Sequence, residues 1–294
     1  MQTRLILLVS VLALGATPAV AQLPELPSNS RYGNGQFMPL APVPPTGQPI
    51  APFFEGWYAN PDGTYTLSFG FFNLNGEQTL DIPIGPNNFI EPAEFNGRQP
   101  THFPGEVRRD RGVFEITVPA SWRESQERVV WTLTANGVTN SVPARVGYSP
   151  LQLGHEPMAM GSLPPELRFE RNGPVGTGLT GLWAPERTAK VDEPMMITLW
   201  ADEVSVRAPG DVVNTDVYVS VSWFKYQGPA DAVVFQPQHI KVDLDGGRAT
   251  TNVTFSAPGE YVLRARLDNW NANDSTGGDQ CCWTNGYVRV TVTN

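Results

Sequence analysis

The sequence predicts an all-β protein built as two tandem β-sandwich domains, with a Pro/Gly-rich leader and a Pro-rich inter-domain connection. Three observations carry that reading. Apolar residues alternate with polar ones in short runs, and Gly, Pro, Asn and Asp separate the runs. No segment sustains a helical period. The 294 residues include 28 Gly and 28 Pro but only 17% charged residues, a balance suited to turn-rich β structure and too apolar for disorder.

Residues 1–21 read as a signal peptide. Met1-Gln2-Thr3-Arg4 supplies a positive start, Leu5 to Leu14 is mostly apolar, and Ala19-Val20-Ala21 makes a cleavage site. The apolar run is shorter than the roughly 20 residues a spanning helix needs, and no other segment approaches that length. The mature chain is therefore expected to be secreted or periplasmic, without a membrane span. An oxidising compartment favours paired thiols.

Residues 22–52 form an extended leader in which Pro42, Pro44, Pro45, Pro49 and Pro52 deny helix and ladder bonding, part of it lying against the first domain. The first domain, 53–147, starts near Phe54. Tyr65, Leu67, Phe69 and Phe71 alternate as a strand with one buried and one wet face. Asn75-Gly76 then leads to Leu80, Ile82 and Ile84, which predicts a hairpin. Phe114, Ile116 and Val118 follow, then Val129, Trp131 and Leu133, and Asn136-Gly137 turns the chain into Val138, Val142, Ala144 and Val146.

Residues 148–189 break the rhythm with six prolines and form the connection. The second domain, 190–294, resumes it. Met195, Ile197 and Leu199 alternate, as do Val217 to Trp223, Ala249 to Phe255, Tyr261 to Leu267, and Val288 to Val292.

The stretch Ala257-Pro258-Gly259-Glu260-Tyr261-Val262-Leu263 resembles the late strands of bacterial immunoglobulin-like and PKD-like domains. The resemblance implies an immunoglobulin-like C-terminal sandwich. Tyr261 would be a corner tyrosine, Trp223 a buried central-strand residue, and Leu263 would stand where antibody domains carry a cysteine. Phe54-Glu55-Gly56-Trp57-Tyr58, Ile82-Pro83-Ile84-Gly85-Pro86 and Cys281-Cys282-Trp283 together resemble a group of uncharacterised exported bacterial proteins, a likeness that implies no activity.

The candidate site is the Asp268–Trp283 loop. Cys281 and Cys282 are the only cysteines and are adjacent; a vicinal disulfide there would stiffen the turn, as a structural bond or with a binding or redox role, and pairing with another molecule or free thiols are the alternatives. With Trp270 and Trp283 they form the candidate ligand-binding set. Asp268, Asn269, Asn271, Asn273, Asp274 and Asp279 offer oxygens of the kind calcium prefers. The EF-hand pattern fails, with Asp274 at its glycine position and Gln280 at its glutamate position, so a solvated turn-rich loop stands as the alternative.

His155, Met158 and Met160 could suit copper or simply pack. Trp57, Tyr58, Phe71 and Phe72 could stack sugars or form core. Gly176-Thr177-Gly178-Leu179-Thr180-Gly181 matches a phosphate-loop spacing without the strand and helix that chemistry requires, and reads as a turn. The net charge of −9 argues against nucleic acid.

The three histidines, His102, His155 and His239, lie far apart in sequence, and no nucleophile-elbow or zincin motif is present. The expectation is an exported, non-catalytic binding or adhesion module, or a structural one, whose partner is a protein or glycan. The alternative is a metal-dependent or carboxylate hydrolase acting on envelope or extracellular polymers, drawing on acids such as Asp202 and Glu203.

Overall fold

The first sandwich is built from β1 (Ile50–Ala59), β2 (Tyr65–Asn73), β3 (Leu80–Asp81), β4 (Asn88–Glu91), β5 (His102–Phe103), β6 (Arg109–Val118), β7 (Val129–Ala135), β8 (Val138–Ala144) and β9 (Gln152–Leu153). One sheet runs β6-β2-β1-β9, the other β4-β7-β8, and β3 and β5 form a short separate ladder. The computed structural model describes residues 43–105, 109–154, 161–206, 208–210, 218–242, 247–269 and 282–294. Residues 1–42, the stretch read as signal peptide and most of the leader, lie outside them.

Period-two apolar residues from both sheets close the first core. Phe69 stacks on Phe114 at 4.9 Å, and Trp131 meets Phe114 edge-on at 5.0 Å from the opposite sheet. Burial of each such ring contributes about 2–3 kcal/mol. Trp131 Nε1 donates to Asn88 Oδ1 at 3.1 Å, so the buried indole is satisfied. The Asn136-Gly137 hairpin forms as the sequence predicts. Both residues have positive φ, 49° and 79°, which matches the right-handed twist of β7 and β8.

The predicted hairpin between Tyr65–Phe71 and Leu80–Ile84 does not form. β2 instead lies between β1 and β6, and Leu80 and Asp81 pair with Phe103 and His102. Pro83 and Pro86 stop the second run from extending into a ladder. The Asn75-Gly76 segment binds the leader: Gly76 N donates to Pro44 O at 2.8 Å and Asn75 Nδ2 to Gln48 O at 2.8 Å. β1 starts at Ile50 and includes Pro52. Its outer neighbour β9 pairs only with Trp57 and Tyr58, so Pro52 sits at a free edge where a missing N–H is tolerated.

The second sandwich contains β10 (Glu166–Arg168), β11 (Leu182–Trp183), β12 (Arg187–Lys190), β13 (Met195–Asp202), β14 (Val219–Gln227), β15 (Val233–Gln236), β16 (His239–Val242), β17 (Arg248–Phe255), β18 (Gly259–Asp268) and β19 (Trp283–Thr293). One sheet runs β10-β13-β17-β15. The other runs β11-β19-β18-β14-β16, with β12 also paired to β19. Trp223 and Leu263 are wholly buried between them. Tyr261 donates its hydroxyl to Ala257 O at 2.9 Å and so ties the incoming loop to its strand.

β18 is buried on both faces. Tyr261, Leu263, Ala265 and Leu267 enter the second core. Val262, Arg264, Arg266 and Asp268 take the other face of the strand, and β19 repeats the pattern with Trp283, Asn285 and Tyr287. The face whose polar letters suggest water is thus packed on the first sandwich. Tyr226, Val262 and Tyr287 join the first core. Tyr287 Oη donates to Val113 O at 3.0 Å, Asn285 Nδ2 to Gly112 O at 3.0 Å, and Gln227 Nε2 to Gln99 O at 2.7 Å. The described residues from Val43 onward form one compact unit.

Candidate functional site

Most of the predicted loop lies outside the described residues: Trp270, Asn271, Asn273, Asp274, Asp279 and Cys281, as do His155, Met158 and Met160. Its two ends are described. Asp268 accepts Arg266 Nη2 at 2.7 Å, and its other oxygen, Oδ1, is buried with no hydrogen-bond partner among the described residues. Asn269 N donates to Cys282 O at 3.0 Å and closes the loop's base. The Asn269 amide donates to Glu203 Oε1 at 3.0 Å and Ser205 Oγ at 2.8 Å, while its Oδ1 is buried with no partner among the described residues. Cys282 is wholly buried, and no cysteine among the described residues is free. Trp283 is only 2% exposed, packed with Tyr58 and Leu179, and the Arg266 guanidinium lies 4.7 Å from its ring centroid.

The aromatics considered for sugar stacking in the first domain are core residues. Trp57, Tyr58 and Phe71 are buried and Phe72 is half-buried, because β1 and β2 pack against both the opposite sheet and the junction. Asp202 and Glu203 have structural partners. Asp202 pairs with Arg168, and Glu203 accepts from Asn269 and from Ser205 N at 2.9 Å.

The Gly176–Gly181 segment is a turn laid along β19. Gly178 N donates to Thr284 Oγ1 at 2.9 Å, Asn285 N to Gly178 O at 3.0 Å, and Asn285 Nδ2 to Leu179 O at 3.1 Å. Gly181 has φ +58°, and a Cβ there would overlap the Asn285 carbonyl. The glycines thus let the turn press against β19 and aim Thr180 and Trp183 outward.

That turn walls a cleft of about 610 Å³ at the junction of the sandwiches. Trp183 is 47% exposed. Its ring stacks on Tyr287 with centroids 4.8 Å apart and planes 21° apart, and the Arg289 guanidinium lies 4.7 Å from its ring centroid. Tyr287 meets Tyr226 at 5.4 Å. An exposed indole is thereby held in one orientation by aromatic and cation–π contacts.

Glu115 from β6 lines the same cleft. Burial pushes its carboxyl above the ordinary value, and the Thr180 hydrogen bond and the Arg98 charge only partly oppose this. Burial also pushes the Tyr287 phenol up to about 12, so it stays a hydrogen-bond donor. Sequence reasoning missed this site because its residues come from five separate segments. The one local signal was the glycine spacing before Trp183.

A second cavity of about 530 Å³ opens elsewhere on the junction. Asp81 Oδ1 there takes both His102 Nδ1 at 2.9 Å and Lys225 Nζ at 2.8 Å. Burial pushes the Asp81 carboxyl up, but the hydrogen bonds and charges of His102 and Lys225 outweigh it and hold the carboxyl below its ordinary value. Thr79, the neighbouring hydroxyl, accepts Gly105 N at 3.2 Å. The arrangement is an ion-paired clasp between sandwiches.

No helix among the described residues is long and apolar enough to cross a membrane. Among those residues no group of three His, Cys, Asp or Glu could hold a metal ion. No protein-family model matches the chain, and no curated protein does. Solved structures similar to it include the D00–D0 domain of intimin, at 12% identity and TM-score 0.27, covering 83% of this chain and 100% of that one. The adhesin InvE of Yersinia pseudotuberculosis is 12% identical with TM-score 0.25, covering 82% and 58%. A PKD domain from human KIAA0319 is 19% identical with TM-score 0.20, covering 42% and 88%. At these scores the likeness says nothing of a ligand.

Proposed function

We propose that this chain is an exported, non-catalytic binding module whose protein or glycan ligand enters the cleft between the two sandwiches. The observation that carries the reading is Trp183. A large ring, 47% exposed and stacked on a buried tyrosine, lines a cleft together with a carboxyl, two guanidiniums and a hydroxyl. Concave sites that pair apolar rings with a few convergent polar groups are the usual form of a ligand site. Extensive junction bonding holds those groups in place without a ligand, which reduces the ordering cost of binding.

Export through a signal peptide cleaved near Ala21 places that ligand in the periplasm or outside the cell. A vicinal Cys281–Cys282 bond and calcium at the Asp268–Asp279 loop belong to the same proposal. Both would stiffen the strand that carries Tyr287 and Arg289, at some distance along it.

The test is capture by the purified full chain from arrays of surface glycans and secreted proteins, with Trp183→Ala beside it. Captured ligand is recovered and weighed by mass spectrometry. Loss of capture in the variant, with ligand recovered intact, supports the reading. Capture indifferent to Trp183, or ligand recovered cleaved, overturns it.

A further inference from the structure

We infer that the junction cleft takes an acidic saccharide, with Arg289 and Arg98 meeting the sugar carboxylate and the Trp183 ring flanking the pyranose. This rests on the cleft reading above and names its ligand class.

The inference comes from which groups of the cleft are already engaged. The Tyr287 hydroxyl donates to Val113 O, and the Tyr226 hydroxyl to Arg98 O. Gln227 uses its amide on Gly97 O and Gln99 O. These phenols and this amide hold the junction together. What remains facing the space is the Trp183 ring, the Arg98 and Arg289 side chains, and Glu115 with its Thr180 partner.

The charge is local and against the trend of the chain. The protein carries a net charge of −9, yet two exposed arginines border this one cleft. Neither forms an ion pair among the described residues. Arg289 lies over Trp183, a contact that orients its planar fork without neutralising it. A guanidinium so placed matches a carboxylate with two parallel N–H donors.

The ring beside it selects what carries the carboxylate. An indole offers a flat apolar face with C–H and N–H edges, which fits the C–H face of a sugar ring. Glu115 and Thr180, the hydroxyl of which donates to the carboxyl, then lie within the same cleft with lone pairs left to accept from the sugar's hydroxyls. A volume of about 610 Å³ suits an oligosaccharide of a few rings and falls in the usual range of ligand pockets.

The experiment is isothermal titration of the full chain with three acidic probes: an oligogalacturonate, an oligomannuronate and a hyaluronan tetrasaccharide. The controls are methyl-esterified oligogalacturonate, a neutral cello-oligosaccharide and an acidic peptide. Binding of at least one acidic saccharide is expected. Its affinity should fall by roughly tenfold or more in Arg289→Gln and in Trp183→Ala, and Arg289→Lys should recover part of it. Thermal melting of each variant verifies that it is folded. Esters or neutral sugars binding as well as acids, with Trp183 still required, would overturn the acidic assignment and leave the cleft reading standing. Preference for the acidic peptide would overturn the saccharide. Failure of all three acidic probes would overturn the inference, and binding untouched by Trp183→Ala would remove the cleft itself.

Discussion

Lys225 of the second sandwich places its ammonium 2.8 Å from the Asp81 carboxylate of the first, and its side chain is only 4% exposed. A buried cation facing a carboxylate across a domain boundary makes docking depend on the pair. Asp81→Asn would leave Lys225 buried without a counter-charge and destabilise the protein by about 3 kcal/mol. The double variant Asp81→Asn/Lys225→Met should be less destabilised than Asp81→Asn alone. Urea unfolding of the four proteins measures this, and additive losses would show that the pair is not coupled.

The same carboxylate predicts an acid dependence. Its folded pKa is lowered, so its contribution is fully present above the ordinary carboxylate range and is lost as pH falls through the lowered value. The gap in melting temperature between wild type and Asp81→Asn should therefore narrow in acid. A gap constant from neutral pH to about pH 3 would contradict the sign.

Glu115 predicts the reverse. Its folded pKa is raised by burial, so the stabilisation its proton provides is complete below the ordinary carboxylate range and is lost as pH rises through the raised value. Glu115→Gln should melt higher than wild type at neutral pH, and the advantage should fade as the medium is acidified. A site that binds ligand at some expense of stability behaves this way.

Two glycines with positive φ separate backbone strain from collision. Gly137 sits in the β7–β8 hairpin with open space around it, so Gly137→Ala should cost about 1 kcal/mol for its left-handed conformation alone. Gly181→Ala would also drive a Cβ into the Asn285 carbonyl, and a loss of about 4 kcal/mol or more is expected. Equal losses in chemical denaturation would mean that the turn moves away from β19.

Period two made the long strands legible. Met195–Asp202, Arg248–Phe255 and the β7–β8 hairpin follow from alternation and turn chemistry alone. Short strands such as β3, β5 and β11 were not legible, because two residues carry no period and their pairing is set by distant partners. The inward turn of Arg264 and Asn285 was hidden for a different reason. A polar face reads as wet until the surface that covers it is known, and that surface is a bulge in β6 more than 150 residues away in sequence.

The junction bonds described above also have a direction. Tyr226, Gln227, Arg264, Asn285 and Tyr287 of the second sandwich donate to main-chain carbonyls of Gly97, Arg98, Gln99, Gly112 and Val113 in the first. Every residue type carries such a carbonyl. These bonds therefore ask the first sandwich for a backbone path and not for a donor or acceptor side chain; the identities it must keep are set elsewhere, by Asp81 opposite Lys225 and by Gly112, where a Cβ would strike Leu179 and Trp283.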